Sequence, residues 1–385
     1  MIAIKNVKIY PVTGPVIEKG TILLENGKIH GIGEHLDIPK DAEVFDGEGK
    51  QAFPGFIDAH CHLGMWESAI GFEGDDGNEM TDPITPHMRA IDGFYPSDET
   101  VKEACKGGVT SCATGPGSAN VIGGTFMAIK TYGDRVDDMV IKNPMAMKIA
   151  FGENPKRVYN SKNRMPSTRM ATAALLRETL FKAKRYLEQV EKAGDDFSKL
   201  PAFDIKMEAL IPVIKREIPL KAHAHRADDI LTALRIADEF GLKITLDHCT
   251  EGHLIVDHIV KAGVPAIVGP SYGHKSKYEL RNTTFETPGI LARAGIKVAI
   301  VTDSPVLPLE SLPLMAGMAV ESGMDPVEAL KAITINPAEI IGIADRVGSL
   351  EPGKDGDIAI FDGCPFEIAA KPWLIIVDGK VVFKR

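Results

Sequence analysis

Hydrophobic and polar positions alternate at both ends of the chain and follow a different rhythm between them. Residues 3–10 alternate loosely, and residues 20–24 and 28–32 flank Glu25-Asn26-Gly27. Asn-Gly tolerates the positive φ angles of a tight hairpin turn, so a hairpin is predicted there. The far end repeats this pattern, with strand-like runs at 357–361, 373–377 and 381–383 separated by Asp362-Gly363 and Asp378-Gly379. Two β-rich ends around a different middle predict one small β-sandwich built from both termini, residues 1–52 and 346–385, with a second domain at 53–345 between them.

The middle alternates apolar runs with helical patterns, as βα units of a parallel sheet do. Strands are predicted at 52–59, 108–114, 145–151, 219–223, 243–248, 265–269 and 297–303. Helices are predicted at 228–240 and 255–262, and a long one at 167–192 with Ser167 as its N-cap. Seven strands are clear. No eighth is evident between Ile149 and Leu220, where residues 204–215 read as helix. A (β/α)8 TIM barrel of ~250 residues plus a small β module accounts for the pattern and for 385 residues.

Composition narrows the function classes. The net charge is −9 with no block of Lys and Arg, which argues against nucleic acid or an anionic membrane as partner. No apolar run approaches the length of a membrane span, and the N-terminus lacks the basic and apolar regions of a signal peptide. The five cysteines are scattered and form no CxxC pair. A disulfide framework is therefore not expected, and a cytoplasmic protein is.

Chemistry gathers where the predicted strands end: His60 and His62, Glu153, His223 and His225, His248, and Asp303. In a (β/α)8 barrel that face carries the active site. Only 11 residues of the chain are histidine, and five of them fall at these points. His, Glu and Asp suit a divalent ion. Residues i and i+2 of a strand share a face, so His60 and His62 can present two imidazoles to one metal while Cys61 points elsewhere.

Residues 53–62, Phe-Pro-Gly-Phe-Ile-Asp-Ala-His-Cys-His, resemble the first-strand motif of the amidohydrolase superfamily. Lys221-Ala222-His223-Ala224-His225 resembles the fifth-strand motif, Asp247-His248 the sixth and Thr302-Asp303-Ser304 the eighth. Thr334-Ile335-Asn336-Pro337-Ala338 and residues 348–357 are similar to that family's return to its β domain, so the resemblance covers essentially the whole chain. The nearest branch resembles the imidazolonepropionase-related members. The resemblance implies His60, His62, His223, His248 and Asp303 as metal ligands, with substrate binding as an alternative role for His248. It also implies a carboxylate or carbamylated lysine at the third or fourth strand. Glu153 is the first choice for that position and Lys148, five residues earlier, the rival.

The expected reaction is hydrolysis of a C–N bond in an amide, cyclic amide or amidine by metal-bound hydroxide, with Asp303 moving the proton from water to the leaving nitrogen. Asp303 and His248 are the catalytic candidates. His225, Arg226, Arg169 and His274 are candidates for binding a small-molecule substrate, the arginines through bidentate pairing with a carboxylate. Zinc is the first choice of metal, one ion or two, with iron, manganese or nickel as alternatives. A dipeptidase or carboxypeptidase of the prolidase type, and a non-catalytic assembly protein on the same fold, are the competing readings. The family's habit of forming homo-oligomers extends to this chain as an expectation. Residues 115–125, rich in glycine, are expected either to wall the active site or to form a plain flexible loop. Residues 65–97 form a long Gly- and Pro-rich segment expected to act as a lid.

Overall fold

The computed structural model describes residues 1–68 and 70–385. The N-terminal stretch forms β1 (Ile2–Ile9), β2 (Ile17–Glu25), β3 (Lys28–Gly33), β4 (Glu43–Asp46) and β5 (Gln51–Pro54). The barrel strands are β6 (Phe56–Cys61), β7 (Val109–Thr114), β8 (Ile122–Lys130), β9 (Val140–Ala150), β10 (Leu220–Ala224), β11 (Ile244–His248), β12 (Ala266–Val268) and β13 (Val298–Ile300). The chain returns in β14 (Ile358–Phe361), β15 (Pro372–Val377) and β16 (Lys380–Lys384).

The terminal strands form one sheet in the order β16-β15-β14-β5-β1-β2-β3, with β4 beside β1. The antiparallel pairing of β5 with β14 joins the two ends of the chain. Ile4, Ile22, Phe45, Ile358 and Leu374 are buried in one cluster, so the sheet folds around a common core as a small β-sandwich. Its hairpins turn where Asn-Gly and Asp-Gly predicted. Asn26 and Gly27 take φ +51° and +79°, and Asp378 and Gly379 take +47° and +69°.

The barrel runs β6 through β13 in chain order. All its pairings are parallel except those of β8, which runs antiparallel to both β7 and β9. Polar groups draw the two ends of the sheet together. The His62 N–H donates to the Ser304 carbonyl at 2.7 Å, and the buried Asp58 carboxylate accepts from the Thr302 N–H at 2.9 Å and hydroxyl at 2.8 Å.

The eighth strand is therefore not between Ile149 and Leu220. That stretch holds the helices Glu153–Asn160, Arg169–Ala193, Ile205–Glu208 and Ile211–Ile214. The strand is β8, partly within the segment read as a glycine-rich loop. Gly124 sits at φ +128°, and a Cβ there would lie 2.5 Å from the Met88 carbonyl oxygen, so a close backbone approach requires the glycine. The long helix buries Leu176, Leu180, Ala183 and Leu187, the three-and-four spacing of one helical face. Its N-cap is Thr168, one residue after the predicted Ser167, with the Thr168 hydroxyl accepting from the Ala171 N–H.

Residues 65–97 pair with β8 at Ile84 and Arg89 and send Trp66 towards the barrel mouth; Ala69 of that segment lies outside the described residues. Among the described residues no helix is long and apolar enough to cross a membrane.

One ammonium ties barrel to β-sandwich. Lys130, at the end of β8, is buried and lies 2.7 Å from Asp357, 2.9 Å from Asp355 and 3.1 Å from Asp378. Removing Lys130 leaves the buried Asp357 without its counter-charge, whereas Asp355 keeps Lys28 and Arg346, the latter at 2.8 Å. Lys130→Met is expected to destabilise the protein by about 3–5 kcal/mol, read as a lower urea midpoint. A midpoint equal to that of the parent protein would show that the cluster contributes nothing to stability.

Candidate metal centre

β6 delivers His60-Cys61-His62 to the barrel mouth. The Cys61 thiol turns towards the Ala113 carbonyl of β7, while the two imidazoles stand with ring centroids 5.2 Å apart. Each ring is oriented from behind. His60 Nδ1 is 2.6 Å from Asp247 Oδ2, His62 Nδ1 is 2.7 Å from the Gly115 carbonyl and His248 Nδ1 is 2.8 Å from the Gly269 carbonyl. A carboxylate or carbonyl oxygen can only accept, so each Nδ1 carries the proton and donates. In the neutral imidazole Nε2 then keeps its lone pair, the form that binds metal.

Those lone pairs converge. Nε2 of His60 and of His62 lie 3.4 and 3.2 Å from Asp303 Oδ1, a buried oxygen with no hydrogen-bond donor. Three acceptor atoms facing one another are satisfied by a cation, and the N, N, O donor set fits a divalent ion. A second buried group, His223, His225 and His248, adjoins it, with the His248 ring 4.9 Å from His60 and 4.4 Å from His223. His225 Nδ1 is 2.8 Å from the Thr250 hydroxyl. His248 and Asp303 both adopt left-handed backbone conformations, φ +70° and +55°. Non-glycine residues rarely do so outside strained, often functional, positions.

Burial sets the charge states. It pushes His60 down to about 3, assisted by the Lys148 and Lys221 charges. It also holds His223 and His225 well below the ordinary imidazole range and lowers His248. Burial opposes ionisation of Asp303, but the charge of His248 foremost outweighs it and holds the carboxyl well below its usual range. Asp247 is lowered in the same way, burial being overcome by Lys221 at 3.0 Å and by His60.

Lys148, not Glu153, reaches this centre. Lys148 is fully buried in β9 with Nζ 3.2 Å from His60 Nε2, and burial pushes its ammonium down to about 8. The Glu153 carboxylate instead accepts from the Glu279 N–H at 3.0 Å, while Glu279 Oε2 accepts from the Glu153 N–H at 2.9 Å. Gly152 permits this exchange: it sits at φ +80°, and a Cβ there would lie 2.5 Å from Glu279 Oε2. Glu153 thus closes a turn at the head of its helix and joins neither ligand group.

A cavity of about 780 Å³ opens above the centre, bounded by His62, His223, His225 and Asp303 below and by Trp66 and His274 at its sides. Gly117 and Ser118 line it too, so part of the glycine-rich segment does form a wall. Two predicted substrate residues point elsewhere. Arg226 pairs with Asp228 at 2.8 Å and Arg169 with Asp229 at 2.9 Å, and neither lines the cavity. Sequence reasoning misses Lys277, Asn154 and Glu279, which belong to no local motif and meet only through the fold.

A barrel that gathers neutral imidazoles and a carboxylate at its strand ends is built as a metal-dependent hydrolase. Residues 52–382 match the amidohydrolase family, and the chain belongs to it: it is a hydrolase acting on carbon–nitrogen bonds. The crystal structure of an amidohydrolase from Thermotoga maritima MSB8 is 42% identical, covers 100% of both chains and superposes with a TM-score of 0.97. The amidohydrolase tasK of Hapsidospora irregularis is 29% identical over 94% of this chain, which spans 40% of tasK's length. An imidazolonepropionase of Mesorhizobium japonicum is 26% identical over 90% of this chain and 87% of its own.

Asp247 orients His60 and compensates Lys221, so its charge matters beyond its shape. Asp247→Asn keeps an acceptor for His60 Nδ1 and removes the charge. Zinc affinity is expected to fall about ten- to a hundredfold, the usual effect of losing such an orienting partner, measured by competition with a chromophoric chelator. Unchanged affinity would show that His60 needs no carboxylate behind it.

Proposed function

We propose that His60, His62 and Asp303 hold one divalent ion and that His223 and His248, with His225 beside them, hold a second, zinc being the first choice. The observation that carries this reading is the convergence of two imidazole lone pairs on Asp303 Oδ1, which has no donor. When bound, such ions polarise the substrate and make water a nucleophile near neutral pH.

Lys148 takes the position between the groups as a carbamate. Its hydrogen bond is to His60 Nε2, and a His60 that binds metal has no lone pair left for it. A buried ammonium would then face a cation unpaired, whereas loss of one proton and addition of the resulting amine to carbon dioxide, with release of a second proton, reverses its charge. Glu153 has no part in this centre.

The chain's own groups complete the reaction. Asp303 reaches the cavity and takes the proton of the attacking water. The water oxygen bonds to the amide or amidine carbon, the C–N bond breaks, and Asp303 returns the proton to the leaving nitrogen. Asp247 and the Gly115 and Gly269 carbonyls keep the imidazoles in the productive tautomer.

Elemental analysis of the purified protein and three variants tests this. About two equivalents of metal are expected, falling in His60→Ala and Lys148→Met and unchanged in Glu153→Ala. Loading in carbon dioxide-free buffer should lower occupancy and bicarbonate should restore it. Asp303→Asn should lower turnover of amides and cyclic amides by about 10²–10⁴-fold. Metal lost from Glu153→Ala but kept by Lys148→Met would return the bridging role to Glu153. No metal after reconstitution would overturn the reading as a whole.

A further inference from the structure

The chain carries a net charge of −9, yet the walls of its cavity are basic. Lys275 and Lys277 line it, and among the described lining residues the sole carboxylate is Asp303, at the floor with the imidazoles. Lys275 is turned to the Arg281 carbonyl at 2.7 Å. Lys277 is held differently. Its ammonium, largely buried, donates to Asn154 Oδ1 at 3.1 Å and Glu279 Oε1 at 3.0 Å. An ammonium has three N–H donors, so one remains for a ligand.

The mounting joins this cation to the metal centre. Asn154 Nδ2 donates to the Ser118 hydroxyl at 2.7 Å and lies 3.5 Å from His223 Nε2. The fully buried Glu279 places the same Oε1 that accepts from Lys277 at 3.8 Å from His225 Nε2 and 4.0 Å from His223 Nε2. Its one negative charge therefore stands between Lys277 and the imidazole pair. A cation held by that pair would draw on the same carboxylate, leaving the ammonium under-compensated and open to an anion.

We infer that Lys277, mounted on Asn154 and Glu279, seats a carboxylate of the substrate close to the scissile bond, so that the enzyme acts on N-acyl α-amino acids or dipeptides. In these the carboxylate carbon is two bonds from the scissile nitrogen, which matches a cation one side chain away from His223. Trp66, Leu280, Phe285 and Leu307 supply apolar walls for the amino-acid side chain. The inference rests on the C–N hydrolase reading above and names its substrate class; it gives Lys277 the task that the sequence assigns to Arg226 and Arg169.

The metal-loaded enzyme is titrated with N-methylphosphonyl-L-leucine and with its carboxamide, probes that bind without turnover. Hydrolysis of N-acetyl-L-leucine and of N-acetyl-L-leucinamide is followed in parallel. The acid is expected to bind at least about tenfold more tightly than the amide, as a charge-assisted contact predicts. Lys277→Met should erase that preference and raise KM for the acid more than it lowers kcat, while Lys277→Arg should keep most of it. Equal binding of acid and amide, or a preference that survives Lys277→Met, overturns the inference. Hydrolysis of both acetyl compounds with equal efficiency overturns it as well and leaves C–N hydrolysis standing. A Lys277-dependent preference for the acid without any hydrolysis supports the anion seat and counts against the hydrolase reading.

Discussion

The barrel mouth keeps several ionisable side chains away from water, and Asp247 is the partner that two of them share. Its Oδ2 meets His60 Nδ1 at 2.6 Å and Lys221 Nζ at 3.0 Å. Without that carboxylate, Lys221 would be a lone buried cation and His60 would lose the acceptor that fixes its tautomer. A buried charge without compensation costs several kcal/mol. Burial keeps His60 neutral against the pull of Asp247, and the contact with Asp247 holds its Nε2 directed at Asp303. The geometry of the first ligand group depends on this bridge from β6 to the consecutive strands β10 and β11, which lie far from β6 in the sequence.

The motifs at the strand ends were legible because their chemistry is local. His60 and His62 face one way because i and i+2 on a strand must, and the hairpins at Asn26-Gly27 and Asp378-Gly379 follow from the φ angles those pairs tolerate. Strand polarity is not local. β8 reads Ile-Gly-Gly-Thr-Phe-Met-Ala-Ile-Lys, and its two glycines suggest a loop. The structure uses Gly124 for the approach of the Met88 carbonyl instead, and only pairing with β7 and β9 reveals that the strand runs backwards. Phe126 of this strand then lies beneath the site, 5.4 Å from the His60 ring and within 5.6 Å of the Lys148 and Lys221 ammonium groups.

The exchange of Glu153 for Lys148 has the same origin. A carboxylate directly after a strand looks like a ligand when the strand's end is the only landmark. Yet Gly152 at positive φ swings the chain into a helix, and Glu279, 126 residues later, takes up both the Glu153 N–H and its carboxylate. Lys148 looks the weaker candidate in the sequence because it lies within the strand. That position is what brings it inside, since the inward face of a barrel strand ends deeper than the loop that follows. Arg169 and Arg226 are drawn off in a similar way, by Asp229 and Asp228, whose nearness no spacing rule marks as stronger than a ligand's pull.

Charge distribution links centre and cavity. Burial removes the water that would solvate the cations of His60, His223, His225 and His248, and so favours the neutral rings whose lone pairs are available for metal. The same burial would make two divalent ions intolerable without negative groups close by. The centre supplies Asp303 and Asp247 from strand ends and, through the carbamate reading, converts Lys148 from a cation to an anion. Glu279 adds a fourth negative charge, but Lys277 already claims part of it. A carboxylate arriving with substrate would complete the balance on that side of the cavity. The anion would then be drawn in by the metal-loaded site rather than by the apo protein, so substrate affinity and metal occupancy should be coupled through Glu279.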